Sequence, residues 1–214
     1  MSEGSVRIGA TAPATPASRA TLARAARQRE RILDAAELCF IQHGFHAASM
    51  AHIAQTADVS AGLIYRYFPS KAAIVKAIIE RHLESEHHQK LCKLSTSGDI
   101  ARSILETFES WRRRDDPKYN AALMLELSAE STRDAAISRV VSTKDQLLGD
   151  SIAGLVRRCA SARGLQLTPA AARSRAVVLQ CLVEGLAMRA VRDPELKPAT
   201  VKPALKAIVD ALLS

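Results

Sequence analysis

Apolar residues in this chain recur every three or four positions, the period of a helix with one buried face, and not every second position as in a strand. From Arg24 onward, Ile32, Ala36, Cys39 and Phe40 fall at i, i+4, i+7 and i+8, an amphipathic stripe that Gly44 can end. Ser49 stands at an N-cap position before a short helix that turns Ile53, Ala54 and Ala57 inward. Asp58-Val59-Ser60 breaks that helix, and another short one runs from about Ser60 to Tyr67. Pro69 stops it, Ser70 caps the next, and Ile74, Ile78 and Ile79 set a further buried stripe.

The same pattern resumes after a break. STSGD, within Leu94–Asp99, reads as a linker. Ile100, Ile104, Phe108 and Trp111 line a helix ending in Arg112, Arg113 and Arg114, whose charges complement its C-terminal dipole. A helix from about Pro117 to Glu130 follows, then a long one from about Asp134 to Ala162 that buries Ile137, Val141, Leu148, Ile152, Leu155 and Cys159. Thr168-Pro169 opens another, which reaches about Val191 before Asp193-Pro194 breaks it. The last helix presents Leu205, Ile208, Val209 and Leu212 at i, i+3, i+4 and i+7. Nine helices and no strand make the predicted fold class all-α. Residues 1–22, rich in Ala, Thr, Ser, Pro and Gly and without apolar period, read as a disordered arm.

Composition narrows the function. The 214 residues can bury a core as one or two domains, and a net charge of +8 points to a polyanionic partner. That excess is spread out: residues 19–82 hold nine Arg/Lys and five Asp/Glu, so +4 of it. Cys39, Cys92, Cys159 and Cys181 lie far apart, which argues against a zinc module or a disulfide framework. No apolar run approaches the roughly 20 residues needed to span a bilayer, and no secretory signal is evident, so a cytoplasmic location and no membrane partner are expected. Glu84, His88 and Cys92 share one helix face, but three side chains without a fourth ligand do not make a metal site, and no cofactor is expected. P-loop, G-x-S-x-G and H-E-x-x-H motifs are missing, which leaves no enzymatic chemistry to assign.

The first eighty residues carry the informative pattern. Two short helices joined by a tight turn, with small Ala54 at the crossing, form a helix-turn-helix whose second helix can enter the DNA major groove. Arg19, Arg24, Arg27, Arg29 and Arg31 precede or open the first helix, within reach of phosphate. An αα-hairpin with a solvated basic face has the same spacing. Of eight aromatic residues in the chain, five (Phe40, Phe45, Tyr65, Tyr67, Phe68) fall between positions 40 and 68, beside Arg66 and Lys71.

The run RQRERILDAAELCFIQHGFHAASMAHIAQTADVSAGLIYRYFPSKAAIVKAII resembles the DNA-binding domain of TetR-family (TetR/AcrR type) transcriptional regulators. The likeness lies in RILDAA, F-x-x-x-G-F, the hydroxyl at Ser49, IA-x-x-A-x-V-S and I-Y-x-Y-F-x-S-K. The resemblance implies a three-helix helix-turn-helix DNA-binding domain over residues 23–85 and a larger helical ligand-binding and dimerisation domain over 86–214. It implies that Ser49 caps the second helix and touches phosphate, that Ser60, Ala61, Gly62 and Leu63 form the recognition tip, and that Tyr65, Tyr67 and Lys71 grip phosphates. Val59, Ile64 and Phe68 would be core. The tip lacks the polar base-reader common in the family, so base reading falls to Met50, His52 or Arg66, or to DNA shape.

The resemblance further implies a homodimer built from the last two helices and an effector pocket in the middle ones. Apolar stripes formed by Val178, Cys181, Leu182, Gly185 and Met188, and by Leu205, Ile208, Val209 and Leu212, support the dimer independently; cover for the monomer core is the alternative. Phe108, Trp111, Tyr119, Leu123, Met124 and Leu127 can line a cavity for a lipophilic or cationic compound, with Glu126 as counter-charge. The expected function is a ligand-responsive repressor that binds a palindromic operator on double-stranded DNA and is released by a small-molecule effector. A helix-turn-helix fold that binds protein instead of DNA is the alternative.

Overall fold

The computed structural model describes residues 16–83, 94–113 and 120–213, with side chains from residue 20 on except at 83. Those residues form α1 (Pro16–Ala47), α2 (Met50–Thr56), α3 (Ala61–Tyr67), α4 (Lys71–Leu83), α5 (Ser97–Arg113), α6 (Ala121–Ser131), α7 (Ala135–Ala162), α8 (Pro169–Arg192) and α9 (Pro198–Leu212). No strand occurs among the described residues. The boundary expected near residue 85 and the Glu84, His88, Cys92 face lie outside them.

Short polar side chains set most of the helix starts. The Ser49, Ser60 and Ser70 hydroxyls accept the N–H of His52, Leu63 and Ala73 at 3.1, 3.2 and 3.2 Å. Asn120, Asp134 and Thr168 do the same for α6, α7 and α8, with Pro169 in the first turn of α8. The STSGD stretch is no linker at its C-terminal end. Thr96 caps α5 by accepting the Asp99 N–H at 3.1 Å and donates to the Asp99 carboxylate at 2.6 Å.

Helix α1 also begins earlier than its composition predicts. Residues 16–22, expected to be disordered, are helical. The stretch Ala17–Arg31 is rich in Ala and Arg, which are strong helix formers, and adding a turn to an existing helix needs no new nucleus. At the other end Gly44 takes φ 75, ψ 160, a conformation essentially closed to other residues, and kinks the chain there.

Three clusters make the core. The first joins Ile32, Phe40, Ile53, Ile64, Phe68, Ile74 and Ile78 of α1–α4 with Leu123 and Leu127 of α6 and Ile137 of α7. Burying each such side chain contributes about 1.5–3 kcal/mol. The second packs α5, α7, α8 and α9 around Ile100, Leu155, Leu179, Leu205 and Val209. The third surrounds Phe108 and Trp111 with Ala121, Leu186, Ala187 and Ala190. Near the C-terminal end of α4, Arg81 meets Glu30, Asp34 and Glu37 of α1 at 2.9, 2.8 and 2.7 Å. Burial opposes the Arg81 charge, but its hydrogen bonds to those carboxylates outweigh this and raise its pKa above the usual guanidinium value.

Candidate nucleic-acid interface

Ser49 and Ser60, both exposed, cap the N-termini of α2 and α3, and α3 keeps one side in the core. Ile64 and Phe68 are buried and Val59 is half-buried against them, as the sequence predicts. Ala61, Gly62, Tyr65 and Arg66 are exposed, with Tyr65 at 55%. Leu63 and Tyr67 are half-buried, and Tyr67 packs against the core. No atom outside its own helix turn lies within 4 Å of a Cβ built on Gly62, so the tip of α3 is open.

The candidate base-readers do not share one environment. Met50 packs partly against the core, and the His52 ring lies 4.7 Å from that of His43. Arg66 is the exposed one. A residue the sequence reading left without a precise role, Arg31, ties α1 to the turn ahead of α3: its Nη2 donates to the Ala57 carbonyl at 2.7 Å and lies 3.6 Å from the Asp58 carboxylate. The Arg29 guanidinium sits 5.4 Å above the Phe68 ring.

Lys71 is held differently from the phosphate grip that the family resemblance implies. Its Nζ donates to the Phe45 carbonyl at 2.8 Å and lies 4.5 Å from the centre of the Phe45 ring. Helix α1 ends at Ala47 and Ser49 is already extended, so that carbonyl gains no N–H from four residues ahead, and the ammonium supplies a donor. Burial lowers the Lys71 pKa, while the charges of Glu130 and Asp134 act in the opposite direction. An ammonium has three donors, so one engaged strongly by Phe45 leaves others for an anion.

Glu126, expected as the counter-charge of a pocket, is engaged with the end of α1 instead. Its Oε2 accepts the Phe45 N–H at 3.0 Å and sits 3.3 Å from where a Gly44 Cβ would stand. Leu123 and Leu127, expected to line the same pocket, are buried in the core shared with α1–α4. The physical reason is that α6 has two faces. Ala121 and Met124 turn towards Phe108 and Trp111, whereas Leu123 and Leu127 turn towards the helix-turn-helix. Phe108 and Trp111 are buried in the third cluster, and Tyr119 lies outside the described residues. An open groove of about 550 Å³ is lined by Leu105, Glu106, Glu109, Ser110, Arg113 and Pro198, none of them expected from the sequence.

The two apolar stripes also divide. Leu205 and Val209 are buried in the chain's own core, so they are not a surface for a second copy. Leu182 and Leu212 are half-buried against that core. Val178, Cys181, Gly185, Met188 and Ile208 are exposed, with Val178 at 46%, Met188 at 39% and Ile208 at 42%. No described helix is long and apolar enough to cross a membrane.

Comparison with known proteins agrees with this architecture. Residues 32–78 match the model of bacterial regulatory proteins, tetR family, and residues 101–214 match that of the BetI-type transcriptional repressor, C-terminal. The HTH-type transcriptional regulator UidR of Escherichia coli (strain K12) is 29% identical over 133 residues, 60% of this chain and 64% of UidR. The chain therefore matches less than two thirds of that relative's length. The HTH-type transcriptional regulator BetI of Yersinia pestis is 29% identical over 176 residues, 78% of this chain and 83% of BetI. The solved structure of Salmonella enterica GusR aligns with a TM-score of 0.69 at 25% identity, covering 87% of this chain and 95% of that one. With one model over the helix-turn-helix and another over α5–α9, the chain belongs to the TetR family of bacterial regulatory proteins, a family of regulators and not of enzymes.

Proposed function

We propose that this chain is a DNA-binding transcriptional repressor that grips a palindromic operator as a homodimer and lets go when a small-molecule effector binds its helical domain. The observation that carries the reading is the double allegiance of α6. One face, through Ala121 and Met124, belongs to the cluster of Phe108 and Trp111; the other, through Leu123 and Leu127, belongs to the core of the helix-turn-helix. A ligand that opens the first cluster displaces α6, and close-packed cores do not absorb such a shift. The helix-turn-helix is then reoriented, and a ligand that prefers the displaced arrangement lowers DNA affinity by the same coupling free energy.

The DNA side of the reading is supported by the open tip of α3 at Ala61 and Gly62 and by exposed Tyr65 and Arg66 beside the caps at Ser49 and Ser60. Tyrosine and serine hydroxyls and the first N–H groups of helices are phosphate donors. The dimer reading is supported by the exposed apolar positions Val178, Met188 and Ile208, with Gly185 among them allowing close approach of a second helix. A two-fold dimer presents its recognition helices to half-sites about one DNA turn apart.

Footprinting of the full chain on the DNA flanking its own gene tests this reading. A protected, two-fold symmetric segment that is released by a compound from a lipophilic and cationic panel supports it. Protection without symmetry, or protection no compound relieves, counts against the dimer or the effector respectively.

A further inference from the structure

Among the described side chains of α1, none before Ile32 belongs to the core, and several carry charge. The first fully buried side chain of α1 among those described is Ile32, yet the helix starts at Pro16. Of residues 20–27 only Ala25 is not exposed, and Leu22 is 64% exposed. No Asp or Glu occurs between Pro16 and Arg29. Arg24 and Arg27 are both exposed, and among the described residues neither is ion-paired. Like charges three residues apart on a bare helix repel one another, so the segment gains nothing from this arrangement in isolation.

The orientation of that charge follows from Arg31. Arg24, Arg27 and Arg31 stand at i, i+3 and i+7, on one helix face. Arg31 shows where the face looks, because it bonds the carbonyl of Ala57 and pairs with Asp58 in the turn that leads to the Ser60 cap of α3. Arg27 and Arg24 continue the same stripe by about 6 and 10 Å along the axis, past the end of the helix-turn-helix. The other end of α1, at Phe45, is tied to Glu126, so this half projects away from the helical domain.

We infer that Arg24 and Arg27 form an accessory DNA-binding site: a helical arm that engages the sugar-phosphate backbone just outside the half-site read by α3. This rests on the DNA-binding reading above and extends it to the DNA flanks. A rigid helix holds two guanidinium groups at fixed spacing, and each replaces counterions on the duplex, so the contact adds affinity without reading sequence.

The test uses the full chain and an operator selected from random-sequence DNA. Two duplexes carry it, one trimmed to the half-site edges and one with ten additional base pairs on each side. Fluorescence anisotropy is followed across a salt series for wild type, Arg24→Ala/Arg27→Ala and Arg24→Lys/Arg27→Lys, with helicity checked by circular dichroism. Wild type is expected to bind the longer duplex more tightly and with the steeper salt dependence. The alanine variant loses that difference, its slope falling by about one for each arginine removed from contact, and the lysine variant keeps most of it. Equal behaviour of wild type and alanine variant on the longer duplex overturns the inference, as does an equal loss on both duplexes. Failure of wild type to bind either duplex sinks the DNA-binding reading itself, which is a different result.

Discussion

Glu126 Oε2 accepts the backbone N–H of Phe45 at 3.0 Å, across 81 positions of sequence. Lys71 holds the carbonyl of the same residue at 2.8 Å, so one residue is held at its N–H by α6 and at its carbonyl by the start of α4. Removing the acceptor leaves a partly buried N–H without its partner. Glu126→Ala is expected to lower stability by about 1–3 kcal/mol, and Glu126→Gln, which keeps an acceptor oxygen, by less. Gly44→Ala meets both a positive φ of 75 and the Glu126 carboxylate at 3.3 Å, and a loss of about 1–3 kcal/mol is expected. Urea unfolding monitored at Trp111 measures both.

Tyr65 and Lys71 separate grip from fold. Tyr65 is exposed, so Tyr65→Phe leaves the unfolding midpoint where it was and weakens DNA binding. Lys71→Ala weakens both, because the Phe45 carbonyl loses a charged donor worth about 1.5–3 kcal/mol. Paired denaturation and anisotropy measurements on the two variants distinguish these outcomes. Equal DNA affinity of Tyr65→Phe and wild type removes Tyr65 from the interface.

Gly62 gives a prediction with opposite signs for stability and binding. A Cβ there meets nothing within 4 Å, and the position is helical, so Gly62→Ala stabilises the free chain by about 0.5 kcal/mol. If the backbone at the tip closes on the groove, the same methyl intrudes there and DNA affinity falls. A variant that is more stable and binds DNA as well as wild type would show that the tip stays clear of the duplex.

Glu184 is an exposed residue whose carboxyl is partly desolvated; that desolvation raises its pKa, aided by the nearby Asp145 charge and opposed by Lys144. A carboxyl with a raised folded pKa holds its proton longer in the folded chain, so stability falls as pH rises from the ordinary carboxylate range to the raised value and stays lowered above it. Below the ordinary carboxylate range both states are protonated and the penalty disappears. Glu184→Gln therefore raises the melting temperature at pH 7, and the gain vanishes at low pH. Thermal scans of both proteins from pH 3.5 to 8 measure it.

What was legible in the sequence was what local chemistry decides. Ser49, Ser60 and Ser70 announce three helix starts within about twenty residues, and the apolar period places Ile53, Ile64, Phe68 and Ile74 in one core. The Phe45–Glu126 link was hidden, because nothing at either position marks a partner 81 residues away. Leu123 and Leu127 read as pocket lining because a helical stripe tells that a face is covered and not by what. The same ambiguity put Leu205 and Val209 on a dimer surface when they fill the chain's own core. Residues 16–22 are helical against expectation because the Pro, Ser and Thr of the segment as a whole mask the Ala-rich and Arg-rich turns that extend α1.

The salt dependence of DNA binding tests the central claim most directly. Full-length protein is titrated onto the DNA flanking its own gene, with unrelated duplex as competitor, at a series of salt concentrations. Binding that resists the competitor, with log K falling linearly and steeply against log salt, is the expected result, since gripping several phosphates releases as many counterions. No binding, or binding indifferent to salt and to competitor, would contradict the account.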